Sequence, residues 1–302
     1  MSKTNQKGIG TSMIRTVRRN ARRVAIGGLI AARKRQADRP PPDFVIVGAQ
    51  RCGTTSLFRA LNKHPAMLPN VIKAKGIHYF DTNYQQNLAW YLAHFPSRAE
   101  RDSHAAKLGH KAIAGEASPY YLYHPAGAKR MAQAIPDAKI IVLLRDPVKR
   151  AISHHLHMVW EGHESIEDLD EALDMEPTRL AGIEQRLSAD SSYVSRPHQH
   201  YSYMTRGHYA RQLERLFVHF DRKNVLVMTT DKLISDSQSS LSAIQSFIGL
   251  EPDPSIELEK RNASSKFEPR AETIQRLANE FAESNKRLEN VAGIEIPWLQ
   301  TT

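Results

Sequence analysis

The sequence predicts an α/β domain of three layers, with a mainly parallel central sheet flanked by helices. Three observations predict it. Short apolar runs at Phe44–Val47, near Ile113–Glu116, at Ile140–Leu144 and at Val225–Met228 suit strands buried on both faces. Segments of helical spacing separate those runs, as the crossovers of a parallel sheet require. The first run leads straight into Gly48-Ala49-Gln50-Arg51-Cys52-Gly53-Thr54-Thr55-Ser56, a glycine-bounded loop and a helix start.

In chain order, a basic arm comes first. Residues 1–42 hold eleven Lys/Arg and one acid, Asp38, whereas residues 43–302 hold 31 basic and 31 acidic residues. The net charge of +10 is therefore a property of the arm. Helical spacing gathers Met13, Ile14, Val17, Ala21, Val24, Ala25 and Gly28 on one face and Arg15, Arg18, Arg19, Arg22 and Arg23 on the other. That describes a basic amphipathic helix on an anionic membrane surface. A disordered basic tail is the alternative, because Gly27-Gly28 weaken a helix. The arm has no aromatics to stack on bases, so nucleic acid is not an expected partner. Pro40-Pro41-Pro42 reads as a stiff spacer before a single domain at 43–302.

Helices are expected from Thr54, over Pro125–Ala134, from Pro147 to Val159, over Gly207–Phe220, over Ser237–Ile248 and over Arg270–Leu288. Residues Glu164 to Glu176 read as an exposed acidic helix. The longest apolar run of the arm, Val24 to Ala32, falls well short of the roughly 20 residues of a membrane span. Set between basic flanks, it also makes a poor signal peptide. The single cysteine, Cys52, excludes an intrachain disulfide framework and fits a reducing compartment. These features point to a cytoplasmic protein, peripheral to the membrane through its arm.

The loop after the first strand turns backbone N–H groups inward at a helix N-terminus, which suits a phosphate-like anion. Its spacing fits G-x-x-x-x-G, so the fold reads as P-loop-like, but Thr54-Thr55 follow where a P-loop has Lys-Ser/Thr. The cation lies inside the loop, as Arg51. After the third strand comes Arg145-Asp146-Pro147-Val148-Lys149-Arg150-Ala151-Ile152-Ser153. A guanidinium at a strand end and a hydroxyl two helical turns on suit a second phosphate. Two such sites suit a nucleotide phosphorylated at two places.

On these motifs the chain resembles the sulfotransferases that use 3′-phosphoadenosine 5′-phosphosulfate (PAPS), above all the carbohydrate (heparan-sulfate-type) branch and its bacterial relatives. The first loop resembles their 5′-phosphosulfate loop and R-D-P-x-x-R-x-x-S their 3′-phosphate site. Lys75-Gly76-Ile77-His78-Tyr79-Phe80-Asp81 resembles the K-E-x-H-F-F segment, and Trp90-Tyr91-Leu92 the W-Y element after it. Gly115-Glu116-Ala117-Ser118-Pro119-Tyr120-Tyr121 resembles the E-x-T/S-P-x-Y strand end. Gly207-His208-Tyr209-Ala210, Val225–Met228 and Phe247-Ile248-Gly249-Leu250 follow in family order, so the resemblance runs from Asp43 to Trp298.

The resemblance implies PAPS as co-substrate, PAP as product, and no metal. It implies donor contacts from Arg51, Cys52, Gly53, Thr54, Thr55, Ser56, Arg145 and Ser153, and from Lys266 and Arg270 in a late loop that closes over the nucleotide. Lys75 is the expected contact to the sulfonate. Two positions depart from the pattern: the catalytic lysine is Arg51, and the catalytic glutamate is Gly76. Arg51 can steady charge on the leaving phosphate but, staying ionised, is a poor proton donor. His78 and Glu116 are the candidate bases; a transfer through a loose transition state that needs little base help is the other option. His154, His155 and His157 cannot all face one way on a helix, so they are not read as a metal site.

The expected activity is sulfonate transfer to a hydroxyl of a carbohydrate, glycolipid or small metabolite. The acceptor pocket is expected from segments 83–92 and 162–206. A P-loop kinase-like protein and a non-catalytic membrane-associated adaptor are the alternatives.

Overall fold

The computed structural model describes residues 24–35, 38–71, 76–259 and 267–300. Lys75, Lys266 and most of the arm's amphipathic stretch lie outside the described residues. The four expected strands form one parallel sheet. They are β1 (Phe44–Gly48), β2 (Gly115–Ala117), β3 (Lys139–Leu144) and β4 (Val225–Thr229), in the order β2-β1-β3-β4. All five residues of β1 are buried, and so is β3 from Ile140 onward, which is why both read as unbroken apolar runs. The chain leaves β1 for opposite sides of the sheet at β2 and β3. That reversal opens a crevice at the strands' C-terminal ends.

The helices around the sheet start and stop for local reasons. Helix α1 (24–34) precedes β1, and α2 (Thr54–Leu61) follows it, packing Leu57, Phe58 and Leu61 into the main core. Next come α3 (Leu88–Leu92) and α4 (Arg98–Leu108), the latter held by a reciprocal capping box between Ser97 and Glu100. Helix α5 (Gly127–Ala134) leads to β3. Helix α6 (Pro147–Trp160) starts with Pro147 in its first turn and Asp146 as cap, accepting from Val148 N at 2.8 Å. Helices α7 (Leu169–Leu180), α8 (Ile183–Ala189) and α9 (Arg196–His200) fill the segment before α10 (Tyr209–Phe217). After β4 come α11 (Thr230–Ser235), α12 (Ser237–Phe247) and the long α13 (Ala271–Ala292). A second apolar cluster of Ala151, Met158, Leu173, Tyr203, Leu277 and Phe281 joins α6, α7 and α13. It props up the segment after α9 beside the sheet's C-terminal edge.

Three expectations are corrected. Residues 164–176 are not a wholly exposed acidic helix: α7 starts at Leu169, and Glu164 and Glu176 are buried. Arg179 and the Tyr203 hydroxyl bind the Glu164 carboxylate at 2.6 and 2.9 Å. Glu176 accepts from the N–H groups of Met204 and Thr205 and from the Thr205 hydroxyl, at 2.6 to 2.8 Å. Both carboxylates are inside because they have partners there. Gly207 does not open α10. It lies in a 3₁₀ turn where an added Cβ would sit 2.3 Å from the Phe281 ring, so close packing requires the glycine. The triple proline, read as a stiff spacer, does not stand clear of the body either. Pro42 is buried and Arg101 binds the Pro41 carbonyl at 2.8 Å, while Arg33 and Arg39 both donate to Phe95 O and Ile30 is buried. The end of the arm thus lies against the body. Among the described residues no helix is long and apolar enough to cross a membrane.

Candidate functional site

The loop from Ala49 to Gly53 turns on two left-handed residues, Arg51 at φ 72° and Gly53 at φ 83°. Glycine tolerates that conformation freely, and arginine does not. Helix α2 starts after Gly53 without a side-chain cap, and its first in-line bond runs from Leu57 N to Gly53 O at 3.1 Å. The amides of Thr54, Thr55 and Ser56 therefore precede the intrahelical ladder and present the positive end of α2. The Thr230 hydroxyl, at the start of α11, lies 2.9 Å from Cys52 O and 3.0 Å from Leu144 O, tying the loop to the ends of β3 and β4. Cys52 faces inward, with its thiol 3.7 Å from the Tyr209 hydroxyl. Burial pushes that thiol up to about 11, against the opposing pull of Arg150, so Cys52 is a packed loop residue and not a thiolate.

The second predicted site closes on the first. Arg51 Nε donates to Ser153 Oγ at 3.1 Å across 102 positions of sequence. Arg51, Gly53, Thr54, Thr55, Ser56, Arg145 and Ser153 all line one cleft of about 690 Å³ at the C-terminal edge of the sheet. Another cavity, of about 730 Å³, lies at the opposite edge between Asp43, Arg101 and Lys139, and among the described residues no predicted site residue lines it. Arg270 does not join the cleft. At the exposed start of α13 it pairs with Asp168 and Asp170, at 2.7 and 2.8 Å.

The two candidate bases part company. His78 lines the cleft, with Nδ1 2.8 Å from Asp81 Oδ2. Glu116 is fully buried and does not line it. Its oxygens accept from the hydroxyls of Tyr91 at 2.8 Å, Tyr121 at 3.1 Å and Ser118 at 2.8 Å. Desolvation pushes Glu116 up to about 7, with those hydroxyls pulling the other way. Glu116, a candidate base, thus lies beneath the cleft and is held there by three hydroxyls.

The same cleft carries residues that sequence reasoning missed. Lys149, Tyr120, His163, His200 and Arg206 line it, along with the acids Glu161 and Asp231. Arg206 is buried against Tyr120 and Tyr123, with ring centroids 5.1 and 4.7 Å from its guanidinium carbon, and donates to His198 O at 2.9 Å. Desolvation, then Arg206, lowers His198 to about 2; desolvation, then His163, lowers His200 to about 4. His154 is held well below its ordinary value by burial and by Arg206, Arg150 and Arg51. The cleft lining thus carries Arg51, Arg145, Lys149 and Arg206 against the two acids Glu161 and Asp231. Of the two segments expected to shape an acceptor pocket, 162–206 reaches the cleft, whereas residues 83–92 do not line it. Tyr84, Trp90 and Tyr91 instead pack around Tyr79.

Comparison with known proteins agrees with this geometry. Residues 41–291 match the sulfotransferase domain family. The chain is 23% identical to the membrane-associated sulfotransferase kil1 of Dictyostelium discoideum, over 85% of this chain and 66% of that protein. It is 28% identical to human heparan sulfate glucosamine 3-O-sulfotransferase 3A1, over 74% of this chain and 48% of that one. The chain thus spans two thirds or less of these curated relatives. The crystal structure of a sulfotransferase from Alicyclobacillus acidocaldarius superposes with a TM-score of 0.61 at 27% identity, covering 86% of this chain and 99% of that one. With a parallel sheet, a P-loop-like anion cradle and a family match over most of its length, the chain belongs to the sulfotransferase domain family.

Proposed function

We propose that this sulfotransferase takes its sulfonate from PAPS and delivers it to a hydroxyl of a carbohydrate, glycolipid or other small metabolite, releasing PAP. The observation that carries the reading is the Arg51–Ser153 hydrogen bond at 3.1 Å, which merges two phosphate-type sites into one cleft. A donor with phosphates at its 3′ and 5′ positions suits such a pair. A cleft of about 690 Å³ is also of the size that holds a nucleotide-scale ligand. On this reading the amides of Thr54, Thr55 and Ser56 hold the 5′-phosphosulfate, and Arg145 and Ser153 hold the 3′-phosphate. Arg51 steadies the charge that grows on the leaving phosphate as the S–O bond breaks. The names of relatives that act on heparan sulfate glucosamine favour a sugar acceptor. The basic arm, together with a relative named as membrane-associated, favours work on an anionic membrane surface.

The test is thermal shift with PAP, with ATP–magnesium and with neither, followed by turnover of radiolabelled PAPS against heparan-type oligosaccharides, glycolipids and small alcohols. Selective stabilisation by PAP and label transfer to an acceptor are the expected results. Stabilisation by ATP–magnesium alone would point to a kinase. Binding of PAP without transfer to any acceptor would point to an adaptor.

A further inference from the structure

We propose that Trp160, the last residue of α6, is the platform that selects a sugar-ring acceptor, its indole taking the C–H face of one ring. The proposal rests on the reading of the cleft as a sulfonate-transfer site. What carries it is the course of α6 along the cleft and the setting of one indole.

Lys149, Ser153, His157 and Glu161 line the cleft at four-residue intervals, so one stripe of α6 forms its wall. Ser153 marks the donor end of that wall, through its bond with Arg51. Trp160 ends the helix seven residues later, about 10 Å further along the axis. Its sequence neighbours Met158, Glu161 and His163 all line the cleft. A group set against this indole therefore lies about 10 Å past the assigned 3′-phosphate contact, beyond both phosphate sites.

The indole is set as a platform and not as a packing residue. Trp90 and Trp298 pack against the main core, whereas Trp160 is 77% exposed. Its ring lies 19° from parallel to the ring of His157, with 6.0 Å between centroids. A residue of the cleft wall thus holds the indole, and its exposure leaves apolar surface open to a ligand. A large, rigid ring already held in place loses little freedom on binding.

The surroundings select the occupant. Glu161, His163, Gln199 and His200 line the cleft that borders this apolar surface, and all of them bond hydroxyl groups. A sugar ring has the matching make-up, with C–H groups on its faces and hydroxyls at its edge. A membrane wedge would need a continuous apolar patch. Among the described residues the cleft lining offers none: its exposed large apolar side chain is Ile234 of α11, and Lys149, Glu161 and Asp231 share the lining. A planar phenol could stack on the indole, but it would leave most of the hydroxyl-bonding groups without a partner.

The test uses the full chain, with a heparan-type hexasaccharide, cellohexaose and 2-naphthol as probes. In calorimetry with PAP present, Trp160→Ala should weaken each sugar that the wild-type chain binds by about tenfold or more, while Trp160→Phe stays within about threefold. Affinity for PAP itself should change less than about twofold. In transfer assays the loss should appear in KM and not in kcat, because a platform holds ground state and transition state alike. Sugar should also shift the tryptophan emission of the wild-type chain, and that shift should be absent in Trp160→Phe. Unchanged sugar affinity in Trp160→Ala, no sugar binding by the wild-type chain, or a loss confined to 2-naphthol would overturn the proposal. Loss of PAP affinity in Trp160→Ala would overturn it too, by making the indole a seat for the adenine ring. Failure of the wild-type chain to bind PAP would overturn the donor assignment beneath it. The emission shift is read without PAP, so the two failures stay distinguishable.

Discussion

Glu116→Gln tests whether the carboxylate beneath the cleft is a strut or a base. Burial raises Glu116 from an ordinary 4.5 to about 7 in the folded chain. Between those two values the folded state holds a proton that the unfolded state has released, so stability falls as pH rises through the window and then levels off above it. The gap corresponds to about 3 kcal/mol, as an order of magnitude, for a group that is fully buried. Glutamine cannot ionise, and its carbonyl oxygen in place of Oε1 keeps an acceptor for the hydroxyls of Tyr91 and Tyr121, while Ser118 loses its acceptor. The amide's new N–H group carries a cost of its own that does not depend on pH. Urea unfolding at pH 5 and pH 8 separates the two effects, because only the ionisation changes between them. The variant should be more favoured over wild type at pH 8 than at pH 5, by up to about 3 kcal/mol. PAPS turnover should stay within about tenfold of wild type. An equal effect at both pH values would refute the buried-ionisation argument, and loss of turnover with intact PAP binding would restore Glu116 as the base.

The other expectations concern anion binding and the arm. Arg145→Ala should weaken PAP binding about ten- to a hundredfold but leave adenosine 5′-phosphosulfate, which lacks the 3′-phosphate, nearly unaffected in calorimetry. Equal loss for both ligands would place Arg145 elsewhere. Arg51→Ala should cut turnover by about two orders of magnitude, more than it weakens PAP binding, whereas Arg51→Lys should recover much of the rate. Deleting residues 1–23, which carry seven Lys/Arg and no acid, should reduce pelleting with anionic vesicles and leave the melting temperature unchanged. Deleting 1–42 should lower the melting temperature as well, since Ile30, Arg33 and Arg39 are then lost from the body. Cys52 should resist alkylation at neutral pH in the native chain and react readily in urea, as gel-shift labelling would show.

Much of this site was legible because its chemistry is local in sequence. A buried strand, a glycine-bounded loop and an uncapped helix start are adjacent residues, and so are Arg145, Asp146 and Pro147. What stayed hidden depends on distant partners. That Arg51 meets Ser153 is a fact of the sheet's crossover, not of either motif. Glu164 and Glu176 lie in a stretch that composition marks as solvated, and only Arg179, Tyr203 and the amides of Met204 and Thr205 explain their burial. Arg206 carries no motif at all. One signal was readable and passed over: Ser97-Arg98-Ala99-Glu100 has the spacing of a capping box and marks the start of α4.

The way the cleft is assembled bears on how the chain is made. Arg51 closes on Ser153, and the Thr230 hydroxyl reaches back across 178 positions to Cys52 O, so the anion site is distributed over nearly the whole sequence. Contacts of such separation form late, after the intervening loops have been closed. A chain still on the ribosome and short of Thr230 holds the loop but not its staple, and a fragment ending before β4 keeps both phosphate motifs without their common frame. On the proposed function, nucleotide binding is a property of the finished fold, and a nucleotide in this cleft would clamp segments that entered the structure at its beginning and near its end.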